Sequence, residues 1–403
     1  LVLFFEKRTA LSFLKKRNKK LLTAKSDAGD VALLLPQRGR APLIADIQIL
    51  RAVAIIFVMI QHSLFNLVFD VQWLSRIMQH AQLWCGVDLF FVISGYLIAG
   101  GLLRAWQAAP ARQVLWRFWL RRAFRLWPAA WFCLALMLLG SLVLTNPPIF
   151  NTFQVNFRSA LAGVLAYANI RFAAHPFEPY GPSYPYWSLS LEEQFYAALP
   201  LVMLVCRRWL PWAMVLGIAV QFPLAHSRLF MFLRTDALLW GVLLACWARS
   251  DLFTRLCPPI LSRWPGLGLV VLAAILALMV FMSPIFDTAP PYAIGIIAMA
   301  AAFAVWLAAQ NRDIFHTGHL QSPLLWVGSR SYVLYLLHVP VFQCAAAISH
   351  HFGASDAIFG TLIDLRSTVI CCPLLIAAAE FTHCIVEKPC RAYGKRLADR
   401  LAA

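Results

Sequence analysis

Apolar runs close to twenty residues long recur along the whole chain, and this feature constrains the fold more than any other. A helix needs roughly 20 such residues to cross the hydrocarbon core of a bilayer. Composition agrees. Of 403 residues, 61% are hydrophobic and 13% charged, whereas a soluble chain carries about 25% charged residues. The expected fold class is all-α, a polytopic membrane protein of about ten transmembrane helices.

Formal net charge is +17, which raises nucleic acid as a partner. The basic residues instead gather in short loops and both tails, as the positive-inside rule expects, so the bilayer is the partner and nucleic acid is not. Apolar segments fall at about 49–69, 83–103, 126–145, 187–206, 211–226, 232–248, 266–283, 291–309, 324–348 and 362–386. Ten spans put both termini in the cytoplasm. The piece 159–170 is apolar but too short to cross, and reads as re-entrant or interfacial. The loop after the second span holds the densest basic patch, with Arg104, Arg112, Arg117, Arg121, Arg122 and Arg125. Three regions follow: a basic cytoplasmic extension, 1–42, that is a surface-lying helix or disordered; a membrane domain, 43–388; and a basic cytoplasmic tail, 389–403. No cleavable signal peptide is evident in 1–42. The ten cysteines form no CxxC and no zinc-like pairing with histidine. They read as buried reduced thiols, and no metal is expected.

Some residues are costly where they stand. Arg51 and His62 lie in the first span, eleven residues apart. On a helix that spacing turns about 1,100°, some 20° past three full turns, and rises about 16 Å. Both side chains therefore share one face. Ionisable groups within spans normally face a bundle interior or a watery cavity. The plainer reading is a snorkelling arginine and a histidine bonded across helices. Other intramembrane polar residues are Asp88 and Ser94, Glu192 and Glu193, Arg234 and Asp236, Arg330, Tyr332 and His338, and Glu380, His383 and Glu387. Ion pairs that hold helices together account for some of these without any chemistry. Arg122 and Arg125 are three apart, neighbours on one helix face. Guanidinium forks bind phosphates bidentately, so a phosphorylated cytosolic donor fits there.

The stretches IQILRAVAIIFVMIQHS, GVDLFFVISGYLI, RRAFRLWPAAW, YWSLSLEEQFY, RTDALLWG, SRSYVLYLLHVPV and VEKPCR, in that order, resemble the acyltransferase-3 family of integral membrane acyltransferases. The resemblance runs from about Ile44 to Arg391. Ile49 departs from it, since the family commonly has glycine beside the arginine, and residues 1–42 lie outside it. The resemblance implies transfer of an acyl group, acetyl by family habit, from cytosolic acyl-CoA to a hydroxyl of an envelope or secreted glycan. It implies a bacterial inner membrane, multi-pass location. Family roles fall on Arg51, His62, Arg122, Arg125 and Glu192.

Acyl transfer needs a base for the attacking alcohol, stabilisation of the oxyanion, and a meeting of donor with acceptor. His62 is the expected general base, because imidazole titrates near neutrality. Glu192 is expected to orient it or hold the acceptor hydroxyl. Arg51, Arg122 and Arg125 are expected to bind acyl-CoA. Trp187, Tyr196, Ser94, Asp88, Arg330 and His338 are the substrate-binding candidates. Arg51 and His62 would mark the two ends of a donor channel. The aromatic stretch FEPYGPSYPYW is either a sugar-stacking platform or a stiff loop. The competing class is a transporter or flippase for a lipid-linked glycan or small anion, which would leave its substrate chemically unchanged.

Overall fold

The computed structural model describes residues 44–66, 76–77, 81–143, 151–175, 178–224, 228–264, 266–283, 292–351 and 365–401. The expectations for residues 1–42 lie outside the described residues. Residues 44–403 group as one unit. Among the described residues all regular structure is helical.

Each of the ten expected apolar segments holds a helix. These are α1 (Ala45–Asn66), α2 (Gly86–Ala105), α3 (Ala111–Val143), α6 (Tyr186–Cys206), α7 (Leu210–Gln221), α8 (Asp236–Trp247), α9 (Leu267–Phe281), α10 (Ala293–Ala308), α11 (Gln321–His351) and α12 (Leu365–Thr382). Among the described residues, six helical stretches are long and apolar enough to cross a membrane. One of them joins α6 to α7, across a break at Arg207, where φ is 45°. Helices α8, α9 and α10 are shorter apolar helices, with 12, 15 and 16 residues. Large apolar side chains such as Val143, Val205, Leu216, Val270 and Phe281 face outward. An apolar surface of this extent suits lipid, and the chain is a multi-pass membrane protein.

The arginine loop differs from its sequence reading, while the 159–170 piece is, as expected, too short to cross. The arginine "loop" is mostly helix: α3 has 33 residues and is about 50 Å long, against a hydrocarbon core of about 30 Å. Residues 111–127 contain no glycine or proline and many good helix formers, so the helix starts well before the apolar run. Arg112 to Arg125 ride on that extension. The 159–170 piece splits into α4 (Phe153–Val164) and α5 (Ala168–Ala174), broken at Ala166 with φ 53°. At about 18 and 10 Å, neither can cross. The basic tail forms α13 (Lys388–Arg400), which packs on α3 through Gly394 against Phe124 and an ion pair between Arg121 and Asp399.

Two close helix contacts set the frame. Helix α2 meets α8 at Gly95 and Gly241. A Cβ at Gly95 would stand 2.2 Å from the Leu238 carbonyl oxygen, and one at Gly241 2.3 Å from that of Val92. Small residues let membrane helices approach this closely. Helix α1 meets α11 at Gly328, whose Cβ would stand 2.1 Å from the Gln48 carbonyl oxygen. The pairs Gln48/Gly328, Arg51/Ser331 and His62/His338 follow in order, so α1 and α11 run in the same direction.

Candidate active site

The site is built where α1, α2, α3, α6 and α11 converge. Arg51 and His62 do share a face of α1, and that face meets α11. Arg51 Nη2 donates to Ser331 Oγ at 2.8 Å, and His62 Nδ1 lies 2.6 Å from His338 Nε2. Neither polar side chain is turned out to lipid.

A cavity opens at the Arg51 end. Arg51, Arg122 and Arg125 supply its cations, and Glu192 its carboxylate. Arg122 and Arg125 reach it together because they are three apart on α3, whereas Arg121 is turned aside to Asp399. The Arg122 guanidinium also sits 5.5 Å from the Tyr196 ring centroid. On α6 the spacing of four puts Ser188, Glu192 and Tyr196 on one face. The Tyr196 hydroxyl donates to Glu192 Oε2, and Ser94 Oγ donates to Oε1 at 3.2 Å. Glu193 points elsewhere and accepts from Trp127 Nε1 at 3.3 Å. Apolar walls come from Phe90, Phe91, Ile93 and Leu97.

The cavity does not run through to His62. It reaches Ser188 and Tyr335, whose hydroxyls lie 2.6 Å apart. The Tyr335 ring is 5.5 Å from that of His338, which is fully buried and carries His62. The expected donor channel from Arg51 to His62 is therefore not one continuous cavity among the described residues, since neither His62 nor His338 lines it. Nor does Glu192 touch His62: its bonds go to Ser94 and Tyr196, and the partner of His62 is His338.

The remaining candidates scatter. Asp88 is buried and bound to Arg234 Nη2 at 2.6 Å, while Arg234 Nη1 reaches Asp236 at 3.0 Å. This triad ties the start of α2 to the start of α8. Arg330 makes a two-pronged pair with Glu380, at 3.0 and 3.1 Å, joining α11 to α12. It is one residue before Ser331, so it points about 100° away from the cavity. Trp187 packs edge-on against Phe91 and Phe232, at 6.4 and 5.1 Å between centroids. In the aromatic stretch, Tyr180 and Tyr186 are buried, which fits the stiff-loop reading. Ser188, Ser331 and Tyr335 escaped the sequence reading. Their signal was helical spacing from Glu192 and His338. Of the ten cysteines, Cys85, Cys133, Cys257 and Cys371 are buried, Cys372 and Cys384 are exposed and the other four are partly buried. Among the described residues no group of three or more His, Cys, Asp or Glu is placed to hold a metal.

Fold and site together define a helical membrane protein with a cation-rich internal cavity next to a hydrogen-bonded histidine pair. A family model described as an acyltransferase domain, acyltransferase-3, matches residues 44–377, and the chain belongs to that family. It is 27% identical over 337 residues to the peptidoglycan O-acetyltransferase OatA of Listeria monocytogenes, covering 77% of this chain and 51% of that protein. It is 27% identical over 368 residues to the O-acetyltransferase OatA of Staphylococcus aureus, covering 86% and 57%. The putative peptidoglycan O-acetyltransferase YrhL of Bacillus subtilis is 27% identical over 380 residues, covering 87% and 55%. The chain thus spans about half the length of these relatives. No solved structure gives a significant match.

Proposed function

We propose that this protein is an O-acetyltransferase of a bacterial inner membrane, moving an acetyl group from cytosolic acyl-CoA to a hydroxyl of an envelope glycan. The relatives' names support acetyl as the group, and the two named for peptidoglycan support a glycan as the acceptor. The observation that carries the donor is the cavity's charge: three guanidiniums face one carboxylate, a surplus of two formal positive charges along its lining. An anion with several phosphate oxygens balances that surplus through bidentate bonds. Acyl-CoA fits, with its phosphates toward Arg122 and Arg125 and its thin pantetheine arm along the Arg51 face. Glu192, held by Ser94 and Tyr196, suits the amide N–H groups of that arm.

His62 takes the proton of the glycan hydroxyl as its oxygen attacks the thioester carbonyl carbon. The C–S bond then breaks, the acetyl ester forms, and the CoA thiolate recovers the proton from the imidazolium. The acyl end travels past Ser188 and Tyr335, on the side of His338, to reach His62. A transporter would need neither acyl-CoA nor a base. The test is transfer of labelled acetyl from acetyl-CoA in membranes, with glycan esters compared between a deletion strain and its parent. Loss of an ester on deletion, not restored by His62→Ala, is the expected result. Full restoration by His62→Ala would remove that residue from the base role.

A further inference from the structure

A general base needs an unprotonated nitrogen aimed at its substrate, and the two imidazole nitrogens are distinct. The contacts of His338 decide which nitrogen of His62 is bare. His338 Nδ1 lies 2.8 Å from the Tyr335 carbonyl oxygen and 3.3 Å from that of Leu334. Carbonyl oxygens only accept, so Nδ1 of His338 carries a hydrogen. In the neutral ring Nε2 is then an acceptor, and it faces His62 Nδ1 at 2.6 Å. His62 Nδ1 must donate. The neutral His62 therefore holds its proton on Nδ1 and has a bare Nε2.

The ring geometry agrees. The planes are 9° apart and the centroids 4.9 Å, nearly the largest separation that a 2.6 Å nitrogen contact permits. The rings meet edge to edge in almost one plane, with the N–H of one along the lone pair of the other. The His338 ring is fixed in turn by burial and by Phe342, 5.8 Å away edge-on.

From this geometry we infer that His338 is a positioning residue, which holds His62 in its Nδ1–H tautomer so that Nε2 takes the acceptor's proton. This rests on the reading of His62 as the base. After proton transfer the imidazolium keeps its Nδ1–H bond to His338, and a charged donor makes that bond stronger. A carboxylate does this for histidine in a serine-protease triad. Here a neutral imidazole does it, which suits a group enclosed in a membrane bundle.

Two polar replacements of different reach test the role. In His338→Gln the amide oxygen falls where Nε2 stood and accepts from His62. In His338→Asn the amide meets the Tyr335 carbonyl but stops short of His62. Both are assayed in membranes with labelled acetyl-CoA, with His62→Ala alongside. The expected result is a kcat about 10- to 100-fold lower for Asn, the range for losing a partner that orients a functional histidine. Gln should stay within about fivefold of the parent, and the donor KM should be unchanged in both. If His62→Ala is inactive while Asn and Gln turn over equally, the base stands and the positioning role falls. If His62→Ala is fully active, the base assignment falls and takes this role with it.

Discussion

Replacing Arg122 and Arg125 together tests the donor site most directly. Both guanidiniums line one cavity, and Arg51 is the third cation there. A hydrogen bond to a charged group contributes about 1.5–3 kcal/mol, and 1.4 kcal/mol is tenfold in affinity. Losing one arginine–phosphate contact should therefore raise the donor KM by about 10- to 100-fold. The two residues are neighbours on one helix face, so their effects need not add. The double Ala variant should show at least about a tenfold rise in donor KM. Arg121→Ala is the control, because Arg121 is exposed and paired with Asp399. Lysine at 122 and 125 keeps the charge but loses the fork, so it should recover only part of the affinity. The assay is initial-rate transfer from labelled acetyl-CoA at varied donor and fixed acceptor. An unchanged donor KM in the double variant, or an equal rise in Arg121→Ala, would refute the assignment.

Two further outcomes follow from the same geometry. Glu192→Gln should raise the donor KM about tenfold or more while sparing the acceptor KM, since its partners Ser94 and Tyr196 face the cavity; a rise confined to the acceptor KM would place it on the glycan instead. Arg234→Met leaves the carboxylates of Asp88 and Asp236 buried without their cation. Breaking a buried pair costs about 3–5 kcal/mol, so the thermal midpoint in detergent should fall by more than about 5 °C, and an unshifted midpoint would show that the triad is dispensable.

That the chain is helical in its apolar segments, six of them long enough to cross a membrane among the described residues, was legible in the linear sequence, as was the shared face of Arg51 and His62. Both rest on local rules: hydrocarbon thickness fixes the length of an apolar run, and helical pitch fixes which residues share a face. Spacing also paired Arg122 with Arg125, although the helix that carries them begins earlier than the apolar pattern suggested. What polar residues do once paired was not legible. In sequence, Asp88, Arg330 and His338 are all polar groups within expected spans. Tertiary packing sends the first into an ion triad with Arg234, the second to Glu380, and the third to His62. The Ser188–Tyr335 contact likewise exists only because α6 and α11 meet there. A buried polar group must find a partner. Which partner depends on contacts between residues up to 276 positions apart, and no local periodicity encodes those.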